Sequence, residues 1–92
     1  MNSPLAALFR SYLHQDYDLR YACVEDALRA FRDEATPQER RRVVAEIDAL
    51  LAAHPDDAAL YEALRERGFV FYPPRDGETS ASWLRRARSA LC

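Results

Sequence analysis

The tetrapeptide TPQE, Thr36–Glu39, constrains this chain more than any other stretch. A threonine at the N-cap can accept from the N3 amide. Glutamate at N3 can reach back to the N-cap amide, and proline at N1 loses no bond that a helix would make there. Val43, Ile47, Leu50 and Leu51 then recur on one face until Pro55, so the helix ends near His54. This is the longest element predicted. Its apolar stripe must be covered by other elements, because a lone helix of this length is marginal in water.

The remaining chain supplies covers of the same kind. Ser3 and Pro4 repeat the cap-and-proline start, and Leu5, Leu8, Phe9, Tyr12 and Leu13 follow at helical spacing. A second stripe runs through Val24, Ala27, Leu28 and Phe31, with Glu25 and Asp26 in a first turn where the helix dipole favours carboxylates. Asp56 or Asp57 caps a fourth helix bearing Leu60, Ala63 and Leu64, and Gly68 sits where a left-handed C-terminal residue is wanted. The segment FVFYPP cannot continue a helix, so Phe69 to Pro74 is expected to be extended. After the turn RDGE, Thr79 or Ser80 caps a last helix presenting Trp83, Leu84, Ala87 and Leu91. The prediction is an all-α, single-domain bundle of about five short helices, spanning residues 1–92, with one extended segment before the last helix.

Size and composition agree. Ninety-two residues bury roughly 60 to 65% of their unfolded surface, enough for a monomer without metal or disulfides. Sixteen alanines and only two glycines favour helix. Cys23 and Cys92 are far apart and fit reduced thiols. Cys92 is the last residue, whereas prenylation needs a cysteine fourth from the end. The start lacks a secretion signal and no stretch approaches a bilayer span, so the cytoplasm and no membrane partner are expected. All thirteen basic side chains are arginine, which coding bias explains as well as any function.

The stretch HQDYDLRY, His14–Tyr21, is the densest group of reactive side chains. An EF-hand loop from Asp16 would need oxygen at position 5, glycine at 6 and glutamate at 12, where Arg20, Tyr21 and Ala27 stand. Neither the histidines nor the cysteines have zinc spacing. No metal and no cofactor are therefore expected. There is no nucleophile elbow or phosphate loop, and the paired carboxylates read as helix starts, so no enzyme is expected. Arg40–Arg42 and Arg85, Arg86 and Arg88 leave open a nucleic-acid-associated or regulatory module. Against it, the net charge is −2, and Glu39, Glu46 and Asp48 share the third helix with its arginines, which suggests a solvated face with i,i+4 pairs. Residues 1–35 hold six carboxylates against four arginines, while the rest balances. That local excess, with Tyr17 and Tyr21 interleaved, suits a surface that meets a basic protein.

The segments LFRSYLHQDYDLRY, ALRAFRDEATPQERRRVVAEIDALLA and FVFYPPRDGETSASWL resemble, in order and spacing, the small bacterial immunity proteins of contact-dependent growth inhibition systems. The most specific parts are Tyr12, Gln15, Asp16 and Asp18, and the Tyr72, Pro73, Gly77, Thr79, Trp83, Leu84 pattern. Ser82 departs from the pattern, which often carries a carboxylate there to complete a capping box from Thr79. The resemblance implies a cytoplasmic protein that binds and neutralises the C-terminal toxin domain of a cognate effector stoichiometrically. Many such toxins are nucleases with basic clefts, which an acidic surface would suit. Because an immunity protein must reject other toxins, residues of the family pattern are assigned to the fold: Tyr12, Asp16, Asp18, Tyr72, Thr79 and Trp83. Exposed neighbours are assigned to the toxin: Tyr17, Glu25 and Asp26, and Arg75, Asp76 and Glu78 in the turn.

Overall fold

A computed structural model of the chain describes residues 3–13, 21 and 23–91. Among the described residues five α-helices follow in order: α1 Pro4–Tyr12, α2 Val24–Glu34, α3 Pro37–Ala53, α4 Asp57–Glu66 and α5 Ser80–Leu91. A short 3-10 turn, Pro73–Asp76, lies between α4 and α5. The predicted starts are set by local chemistry. Ser3 Oγ accepts from the Ala6 amide at 3.0 Å. At α3 the capping box closes in both directions, Glu39 N to Thr36 Oγ1 at 3.1 Å and Thr36 N to Glu39 Oε1 at 3.2 Å. Asp56, not Asp57, caps α4, accepting from Ala59 N at 3.2 Å. At α2 the N-cap is Cys23, whose side chain makes no capping bond. Asp16 and Asp18, assigned above to the fold, lie outside the described residues.

The extended segment is shorter than expected. It ends at Tyr72, because Pro73 and Pro74 open the 3-10 turn. Proline's fixed φ suits a first helical position, and its missing N–H is one the turn does not use. Pro73 is fully buried and anchors the turn, and Gly77 closes it at φ 75°, a backbone conformation glycine adopts without steric cost. Gly68 plays the same part after α4 at φ 94°.

Burial follows the predicted stripes. Leu5, Leu8, Phe9 and Leu13 meet Ala27 and Leu28, Val43, Ile47 and Leu50, Leu60 and Leu64, and Leu84, Ala87 and Leu91 in one core. The last helix packs against α2, α3 and α4, whereas α1 packs on α2 and α3. An aromatic cluster joins the extended segment to this core: Trp83 is 4% exposed, with ring centroids 4.8 Å from Phe69, 5.8 Å from Phe71 and 6.1 Å from Phe9. Strand-like alternation turns Phe69 inward and leaves Val70 and Tyr72 about half exposed.

Charged groups tie the helices together across the bundle. Glu46 of α3 accepts from Ser3 Oγ at 2.5 Å, from Leu5 N at 2.8 Å and from Arg67 Nε at 2.6 Å. Asp48 pairs with Arg88 of α5 at 2.8 Å. Among the described residues no i,i+4 ion pair forms within α3, which corrects the expectation of a locally paired solvated face. Glu46 and Asp48 reach other helices because α1, α4 and α5 lie within a side chain's length of α3. Burial of Glu46 works against its ionisation, but the hydrogen bonds from Ser3, Arg67 and Leu5 and the charge of Arg67 outweigh it, and its pKa is lowered.

Candidate functional site

Two of the predicted contact segments are remote in sequence. Glu25 and Asp26 open α2, and Arg75–Glu78 forms the turn before α5. The fold brings them together through Arg86, a residue expected only as part of a basic cluster. Its position in α5, three residues beyond the buried Trp83, carries the guanidinium to the edge of the α2 contact. Arg86 Nη1 donates to Glu25 Oε1, and Nη2 donates to Glu78 Oε1 at 2.8 Å. Ser82 Oγ, the residue that departs from the family pattern, donates to Glu78 Oε2 at 3.2 Å. Arg86, Glu25 and Glu78 thus form one bridged trio carrying a net charge of −1, with Asp26 paired to Arg29 beside it at 2.8 Å.

The start of α5 is capped from two sides. Thr79 Oγ1 accepts from Ser82 N at 3.0 Å. Asp57, from the first turn of α4, accepts from Ser80 N at 3.1 Å and Ala81 N at 3.2 Å. Three first-turn amides are satisfied this way, although position 82 lacks the carboxylate of a capping box. This places the turn and its Glu78 rigidly against α4 and α5.

The acidic excess of residues 1–35 is less bare than its composition implies. Glu25 is paired with Arg86, Asp26 with Arg29 and Asp33 with Arg32, and Glu34 accepts from the Tyr12 hydroxyl. In the basic cluster of α5, Arg86 and Arg88 are held by carboxylates, whereas in α3 Nε of Arg40 is buried with no hydrogen-bond partner among the described residues. Tyr12 packs edge-on to Phe31 and stacks on Tyr21, joining α1 to α2. Tyr72 stands at the N-cap of the 3-10 turn, half exposed, with its ring 5.6 Å from that of Tyr61. Tyr17, like Asp16 and Asp18, lies outside the described residues.

Among the described residues no group of three or more His, Cys, Asp or Glu side chains is placed to hold a metal ion, and no helix is long and apolar enough to cross a membrane. An open groove of about 720 Å³ runs between α1, α3 and the end of α4, lined by Arg10, Phe31, Glu39, Arg42 and Arg67 among others. Among the described residues, Glu25, Asp26, Arg75 and Glu78 do not line it. Sequence reasoning missed Glu46, Asp57 and Arg86 in these roles. The only available signal was that each is a charged residue close to an apolar stripe.

Comparison with known proteins places this arrangement. No curated protein matches the chain. A chain in the crystal structure of a CdiA-CT/CdiI complex from Y. kristensenii 33638 superposes with a TM-score of 0.87 and 29% identity, covering 97% of this chain and 96% of that one. The family model described as CdiI immunity protein matches residues 3–91. With nearly every residue of the bundle inside that match, the chain belongs to the CdiI immunity protein family.

Proposed function

We propose that this protein neutralises the toxin domain of a cognate CdiA effector by stoichiometric binding in the cytoplasm, with no chemistry of its own. The toxin-facing surface is the face where the start of α2 meets the turn before α5. The observation that carries this reading is the convergence of Glu25 and Glu78 on Arg86, since it makes one surface of two segments predicted separately. The structural likeness to a chain of a CdiA-CT/CdiI complex supports the choice of partner. A net-negative, arginine-bridged patch suits a basic partner surface, and it would speed encounter in a salt-dependent way. A phosphate-binding role for the arginines of α5 draws no comparable support, because Arg86 and Arg88 are already engaged by carboxylates.

The test is co-expression with the adjacent toxin domain, reading growth rescue and co-purification, for the wild type and for a double variant, Glu25→Arg with Asp26→Arg. The double variant is expected to stay folded by circular dichroism and to bind roughly 10- to 100-fold more weakly at low salt. Unchanged affinity at low salt would remove this face from the interface.

A further inference from the structure

The trio where α5 meets the start of α2 has a feature that fold stability does not explain. Its members come from three elements that are each anchored elsewhere: α5 by Trp83 and Leu84, α2 by Ala27 and Leu28, and the turn by Pro73. The Arg86 side chain is 45% exposed and those of Glu25 and Glu78 are 29% and 22% exposed, so the pairs stand in contact with water. Ion pairs in such surroundings contribute little to folding. What the guanidinium does accomplish is geometric. Its planar fork holds two carboxylates, one of them 61 residues away in the chain, at a fixed separation and orientation.

From this we infer that Arg86 is a positioning residue of the toxin face, a role that rests on the binding reading above. It preorganises Glu25 and Glu78 to receive one basic side chain of the toxin. The trio has room for it. Arg86 uses one oxygen of each carboxylate, Ser82 takes the second oxygen of Glu78, and Glu25 Oε2 has no hydrogen bond among the described residues. A carboxylate oxygen accepts further donors, so an arginine or lysine of the partner can bond there without displacing Arg86. The remaining charge of −1 is the complement of one cation. Ordering two flexible glutamates before the encounter removes that cost from the bound state.

Charge and geometry make opposite predictions for Arg86, which gives the test its force. Arg86→Gln makes the face more negative. If Arg86 served only as a charge, association with a basic toxin would quicken and dissociation would stay the same or slow. Under the positioning role, Arg86→Gln raises the dissociation rate about 10-fold while the melting temperature moves by only a few degrees. Arg86→Lys keeps the charge but lacks the two-pronged fork, so its association rate matches the wild type and its dissociation is again faster. Both variants would be measured against the purified cognate toxin domain by surface plasmon resonance at two salt concentrations. Dissociation as slow as wild type in both variants overturns the inference. If the Glu25→Arg with Asp26→Arg variant loses binding in the same series while both Arg86 variants release the toxin at the wild-type rate, the face stands and only the role of Arg86 falls. If that charge-reversed variant binds like wild type, the face itself is wrong.

Discussion

Glu46→Gln is the most informative single change to the fold. Glu46 receives three donors from two other parts of the bundle: Oε1 takes Leu5 N, and Oε2 takes Ser3 Oγ and Arg67 Nε. Glutamine has nearly the same shape but only one acceptor oxygen. If its NH2 replaces Oε1 it faces the Leu5 amide, and if it replaces Oε2 it faces Arg67, so one part-buried donor is orphaned in either orientation. The charge-assisted bond to Arg67 is also weakened, although Arg67 keeps the Ala63 carbonyl at 2.8 Å and is 27% exposed, which limits the penalty. Hydrogen bonds to charged groups contribute about 1.5 to 3 kcal/mol, so the expected loss is about 2 to 3 kcal/mol. That is a large fraction of the roughly 5 to 14 kcal/mol available to a domain of this length. The folded pKa of Glu46 is lowered from the ordinary value of 4.5. Its contribution is therefore fully present above the unfolded pKa and is lost as pH falls through the folded one. Urea unfolding followed by circular dichroism, at about pH 7 and in steps down to about pH 2.5, should show a gap between wild type and variant that closes with acid. A gap below about 0.5 kcal/mol at neutral pH, or one that does not shrink in acid, would refute the account of Glu46 as an ionised tie between α1, α3 and α4.

Two further changes probe other links. Trp83→Ala removes the ring at the centre of the Phe9, Phe69 and Phe71 cluster and should cost about 3 to 5 kcal/mol, lowering the melting temperature by at least about 12 °C; an unchanged melting temperature would contradict its burial. Asp57→Ala should cost about 1 to 2 kcal/mol by leaving the Ser80 and Ala81 amides without an acceptor, and hydrogen exchange at those two amides should rise selectively, whereas uniform protection would show that Asp57 does not cap α5.

The borders of the helices were legible because their signals are local. A cap bond spans three residues, as from Ser3 to Ala6 and from Thr36 to Glu39, so the residues that decide a helix start are neighbours in the sequence. The apolar stripes are equally local, and the buried set follows them almost residue for residue. The one misplaced border, at Pro73 and Pro74, lies where proline satisfies both an extended segment and the start of a 3-10 turn.

What the amino-acid order determined by itself was five helices, their faces and the break before the last one, since propensity, capping and periodicity act within a few residues. Only the tertiary structure decided that Glu46 reaches Ser3 and Arg67, that Asp57 caps a helix beginning 23 residues later, and that Arg86 gathers Glu25 and Glu78 into one patch. These bonds depend on how helices cross and which charged side chains emerge side by side. A stripe of leucines states that a face is buried, but not which helix covers it or which charges meet at its edge.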